Sequence, residues 1–106
     1  MISAALAIIE NESQRNELSE IYERNIKIFY SIAFSKLHNK QDAEDAIQES
    51  FLAIAQNPAL LFNIPTNKRV SYINVIVRNT AYKMWNKRRN ISKSSTKNIK
   101  IKRKYK

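Results

Sequence analysis

Not one glycine occurs in these 106 residues, and proline occurs only at Pro58 and Pro65. Two-residue hairpins, tight strand-to-helix connections and phosphate-cradling loops all rely on residues that take positive φ at little cost. A glycine-free chain is steered away from each of them. What remains is helix joined by short connectors, and the length allows one small domain. The pattern therefore predicts an all-α protein: a compact bundle of three main helices plus a short N-terminal helix.

Apolar spacing and capping residues place the elements. A short helix is predicted over 2–10, with a break and cap chemistry over 11–13. A long helix follows over 16–37, with Leu18, Ile21, Tyr22, Asn25, Ile28, Phe29, Ile32, Ala33 and finally Leu37 as its stripe. Asn39 can N-cap a third helix that reaches residue 57, with Asp42 in the first turn against the positive helix end. Residues 58–67 read as a connector, oddly apolar for one. Leu60, Leu61, Phe62 and Ile64 are expected to tuck partly into the core, the other reading being a binding element. Thr66 or Asn67 can cap a last helix ending near 89. The domain is thus 1–89. Residues 90–106, rich in Lys, Ser, Asn and Ile without helical period, form a basic tail expected to be disordered alone, or the stub of a linker.

Several functions are excluded by what the chain lacks. With no cysteine and a single histidine, His38, neither disulfides nor an ordinary metal site can be built. No cofactor or catalytic metal is expected. No nucleotide-binding or nucleophile motif is present. The apolar start lacks a basic leader segment and is too short to span a bilayer, which predicts a cytoplasmic protein without a membrane partner.

Charge divides the chain in two. Residues 1–57 hold all nine Asp and Glu and only five Lys and Arg, a net of −4; residues 58–106 hold fourteen Lys and Arg and no acid, a net of +14. Such asymmetry points to a polyanion bound by the C-terminal half, nucleic acid first and an anionic membrane surface second.

Each half then presents one distinctive helix face. In the third helix Ala43, Ala46, Ile47, Ser50, Phe51 and Ile54 form the core stripe. Asp45, Gln48, Glu49 and Leu52 gather opposite. An apolar residue facing solvent within a frame of carboxylates is the pattern of a docking surface. In the last helix Ile73, Ile76, Val77, Thr80 and Met84 are the buried stripe, and Arg78, Asn79, Tyr82, Trp85, Asn86 and Arg89 face away. Rings can stack on unpaired bases, arginines neutralise phosphates and asparagines pair with base edges. The exposed rings favour single-stranded or melting DNA over duplex. Trp85 has a second reading, as a ring packed under the tail or against the loop at 60–64. Lys87-Arg88-Arg89 complements the negative helix end as well as phosphate.

These surfaces, in this order, resemble the sigma-70 family of bacterial RNA polymerase sigma factors, in particular the small extracytoplasmic-function-like members, over their second conserved region. Ile21-Tyr22-Glu23-Arg24-Asn25 fits the opening of its long helix. Asp42-Ala43-Glu44-Asp45-Ala46-Ile47-Gln48-Glu49-Ser50-Phe51-Leu52 is similar to the segment that docks on the polymerase β′ clamp helices. Arg69-Val70-Ser71-Tyr72-Ile73-Asn74-Val75-Ile76-Val77-Arg78-Asn79 is similar to the segment leading into the helix that opens and reads the −10 promoter element.

The resemblance implies a transcription initiation factor that binds core RNA polymerase through Asp45, Gln48, Glu49 and Leu52. It implies promoter contacts from Lys68, Arg69, Tyr72, Arg78, Asn79, Tyr82, Lys83, Trp85, Asn86, Arg88 and Arg89, with Phe62 and Asn63 in the loop that captures a flipped base. An anti-sigma factor is a further partner it allows. Lys83 departs from the acid that many small sigma factors carry there. The family's −35-reading helix-turn-helix region does not follow within these residues, so the chain alone is expected to start transcription poorly at two-element promoters. Other readings are a split factor acting with a separate −35-reading subunit, a basic helical RNA-binding protein, and a membrane-surface peptide through Ile91, Ile99, Ile101 and Tyr105 among the lysines.

Overall fold

The structure, a computed structural model, describes the backbone of residues 2–94 and the side chains of residues 2–88. Within them there are five α-helices and no strand: α1 (Ser3–Ile8), α2 (Glu12–Leu37), α3 (Lys40–Gln56), α4 (Ala59–Phe62) and α5 (Arg69–Ser94), with a 3₁₀ turn over Thr66–Lys68. The three long helices pack on one another, and α1 lies mainly along α3. The predicted all-α bundle of three main helices is the observed architecture.

Asparagine caps set two of the helix starts. Asn39 Oδ1 accepts from the Asp42 N–H at 2.9 Å and opens α3 where the sequence placed it. Asn11 Oδ1 accepts from the Gln14 N–H at 2.9 Å, so α2 begins at Glu12, four residues before its predicted start. Arg15 Nη1 donates to the Ile9 carbonyl at 2.7 Å and closes the corner between α1 and α2. The other end of α2 needs a left-handed residue. His38 supplies it at φ 55°, its N–H bonded to the Phe34 carbonyl at 2.8 Å. Glycine is the usual occupant of such a position.

Phe51 sits at the centre of the core. Tyr22 meets it edge-on at 5.3 Å and Phe29 at 5.5 Å. All six residues predicted for the α3 stripe are buried. The Ser50 hydroxyl is tolerated there because it donates back to the Ala46 carbonyl at 2.7 Å. Asn25 solves the same problem in α2 by donating to the Ile21 carbonyl at 2.9 Å.

The structure corrects several expectations. Ile28 is exposed, because the α2 stripe centres on Leu18, Phe29 and Ala33 and successive residues turn about 100°. In α5 the buried line is Ile73, Val77 and Ala81, with Ile76 and Met84 at its margins. The connector is not wholly irregular. Leu61 is buried, Phe62 and Ile64 are half-buried, and Leu60 stands out in solvent. Entry to α5 runs through the 3₁₀ turn, the Lys68 N–H bonding the Pro65 carbonyl at 2.9 Å. Finally, α5 continues five residues past 89, so 90–94 are helical. The rest of the expected tail, 95–106, lies outside the described residues.

Candidate functional site

The acidic face of α3 is a ridge with a groove on either side. Gln48 and Glu49 are exposed and Asp45 is half-exposed, its Oδ1 accepting from Gln41 Nε2 at 3.2 Å. Leu52 does not face solvent as expected. It is half-buried against the core, because α1 lies alongside and lines one groove with Ile2, Ala4 and Ala5, together with Met84 of α5. That groove is about 270 Å³. The other, about 350 Å³, runs between α2 and α3 and is lined by Tyr22, Ile26, Lys27, Tyr30, Glu44, Ile47 and Gln48. Burial pushes the Tyr22 hydroxyl above its ordinary pKa, and the nearby Glu44 charge adds to the rise. Gln48 belongs to both grooves and forms the crest between them.

On α5, Arg78, Asn79, Tyr82 and Lys83 are exposed, and Trp85 and Asn86 are half-buried. Tyr82 and Trp85 stand side by side, centroids 6.3 Å apart and planes 30° apart. The tail under which Trp85 was expected to pack lies largely outside the described residues. The ammonium of Lys36, from α2, lies 4.4 Å from the Trp85 ring centroid. The side chain of Arg89 lies outside the described ones.

Two arginines expected to touch DNA are committed within the fold. Arg69 turns inward: Nε donates to the Ile64 carbonyl at 2.8 Å, Nη2 to the Phe62 carbonyl at 3.0 Å, and Nη1 to Glu17 Oε2 at 2.5 Å. Its guanidinium also covers the Phe62 ring at 5.0 Å. One side chain thereby ties the connector to α2. Arg88 binds the buried carboxylate of Asp42. The sequence carries no sign of either pairing, because the partners lie 52 and 46 residues away.

The pinned connector also shapes a pocket. Ala53, Ile54 and Asn57 of α3 and its end, Leu60 and Leu61 of α4, and Tyr72 and Ile76 of α5 enclose about 180 Å³. Phe62 is half-buried, while Asn63 and Lys68 are exposed. Among the described residues no group of three His, Cys, Asp or Glu could hold a metal ion. No described helix is long and apolar enough to cross a membrane.

The family model described as Sigma-70 region 2 matches residues 21–91, from the third turn of α2 through the body of α5. It spans the acidic ridge, the pinned connector and the basic-aromatic face. No curated protein and no solved structure matches the chain significantly.

Proposed function

The chain belongs to the sigma-70 region 2 family, and on that premise we propose that it docks on core RNA polymerase through the α3 ridge and holds the melted −10 strand of a promoter against α5. Members of this family are transcription initiation factors, not enzymes. They act with core RNA polymerase, which performs the chemistry.

The observation that carries the proposal is the presence of two different exposed chemistries on two helices that pack together. Asp45, Gln48 and Glu49 crest α3, whereas Arg78, Asn79, Tyr82 and Lys83 crest α5, and no acid follows Glu49 in the sequence. The acidic ridge with its flanking grooves suits a basic helical partner such as the β′ clamp helices. The α5 face suits a strand with unpaired bases. Extruding a base costs a few kcal/mol, and each base stacked on an aromatic ring returns about 1–3 kcal/mol. Tyr82 and Trp85 can therefore offset the opening of one or two bases, while Arg78 and Lys83 hold phosphates.

The pocket beneath the connector fits the remaining role. Its apolar walls and Tyr72 can receive a flat ring, and Asn57 lines it with an amide able to read a base edge. Within the family, the resemblance of residues 42–52 and 69–79 to the small members supports an extracytoplasmic-function-like reading. The test is paired. The chain is expected to retain core polymerase on a column and to bind single-stranded −10-type DNA more tightly than its duplex. Failure to retain polymerase, or preference for the duplex, would remove the proposal.

A further inference from the structure

Lys36 belongs to none of the surfaces described above, yet it is fixed in an unusual way. It lies in the last turn of α2. Its Nζ sits 4.7 Å from the Tyr82 ring centroid and 4.4 Å from that of Trp85, so one ammonium rests over both rings. Among the described residues no carboxylate pairs with it. A lysine without an acidic partner ordinarily extends its head into water. Here the electron-rich faces of two rings draw it back onto α5.

That arrangement leaves the ammonium chemically available. A ring attracts a cation through its quadrupole, whereas a phosphate oxygen accepts its N–H hydrogens, and an ammonium carries three. The lysine is therefore held beside an aromatic platform without a competing anion. Tyr82 is half exposed to solvent, so the platform is not closed off by the lysine. A nucleotide with an unpaired base offers a flat ring and a phosphate together. Paired bases in a duplex keep their faces inside the stack.

We propose that Lys36 is part of the single-strand site, an α2 residue that binds the phosphate flanking a base stacked on Tyr82 and Trp85. The proposal rests on the reading of α5 as a nucleic-acid face, and it extends that face across the junction with α2. It also makes Lys36 the element that orients the two rings before the strand arrives. The stretch of α2 that carries it would not be sought as a DNA contact from charge alone, since residues 1–57 are net acidic.

The experiment compares the full chain with Lys36→Met and Lys36→Arg, using a short labelled oligo(dT) strand titrated at several salt concentrations and Trp85 emission as a second signal. Lys36→Met is expected to weaken strand binding about threefold at moderate salt and to flatten the logarithmic salt slope by about 0.7, the loss of one phosphate contact on a single strand. Lys36→Arg, which keeps both the charge and the ring contact, is expected to retain the wild-type slope. If the Met variant binds with wild-type affinity and slope, Lys36 only packs against the rings and the proposal is wrong. An equal loss in the Arg variant overturns it too, since charge is then not what matters. If the wild-type chain binds no strand at any salt, the nucleic-acid reading of α5 falls and takes this proposal with it, a pattern distinct from the other two.

Discussion

Arg88, near the end of α5, grips Asp42, in the first turn of α3, with both terminal nitrogens; Nη2 lies 2.7 Å from Oδ1. The carboxylate is buried, and its own backbone N–H is capped by Asn39. The guanidinium is more than half exposed. A bidentate pair of this kind has strong geometry, but solvent at the arginine screens it. Arg88→Gln is expected to cost about 1 kcal/mol of stability, and Asp42→Ala somewhat more because the helix start also loses its favourable charge. Urea unfolding of the two single mutants and the double mutant measures the coupling. Because Arg88 is engaged, its neutralisation is also expected to change strand binding less than that of Arg78 or Lys83. An effect on binding with none on stability would show that the pair is not formed in solution.

Arg69 is a second long-range clamp, and a more deeply buried one. Its three side-chain nitrogens bind Glu17 and the carbonyls of Phe62 and Ile64. Removing it strands a half-buried carboxylate and two carbonyls. Arg69→Met is expected to cost about 3 kcal/mol and to open the connector to proteolysis between α4 and α5. A variant as stable and as protease-resistant as the wild type would show that the clamp is dispensable.

The docking ridge can be tested without disturbing the core. Asp45→Ala combined with Glu49→Ala is expected to abolish retention of core polymerase while moving stability by only about 0.5 kcal/mol, the usual scale for exposed sites. Gln48→Ala should weaken retention on its own, since that side chain forms the crest between the grooves. Retention of polymerase by the double mutant at wild-type strength would place the docking surface elsewhere.

Affinity and specificity should separate on α5. Tyr82→Ala is expected to weaken single-strand binding by about 1–3 kcal/mol, the value of one stacked base. Asn79→Ala should alter which sequences are preferred while leaving the salt slope intact, since an amide neutralises no phosphate. Competition between oligonucleotides at several salt concentrations reads both quantities. A slope altered by Asn79→Ala would reassign that residue to the backbone.

His38 offers a test of the fold itself. It holds φ 55° at the end of α2, where a side chain is strained and glycine is at ease. His38→Gly is expected to stabilise the protein by up to about 1 kcal/mol, reduced by loss of the edge contact with Phe34 at 6.2 Å. Thermal unfolding decides it, and a lowered midpoint would mean that the ring contact outweighs the strain.

Much of this protein follows from local sequence alone. The absence of glycine and the spacing of apolar residues dictate helices, because both act within a turn or two of the chain. For the same reason Asn39 could be named as a cap and the whole α3 stripe as core before any coordinates. The outer faces of α3 and α5 were legible in part, since a core stripe defines its opposite: Gln48, Glu49, Arg78, Asn79 and Tyr82 are exposed, whereas Leu52, Trp85 and Asn86 are half-buried. Other features depend on residues far apart in sequence, which no period records. α1 lies along α3 and half-covers Leu52, turning an expected exposed leucine into the floor of a groove. Arg69 and Arg88 looked like any arginine in a basic segment until folding set Glu17 and Asp42 beside them. Lys36 joins Tyr82 and Trp85 only because the end of α2 crosses α5 there. Helix faces are settled by local geometry, whereas the partner of a charge is settled by which helices meet, and only the tertiary structure decides that.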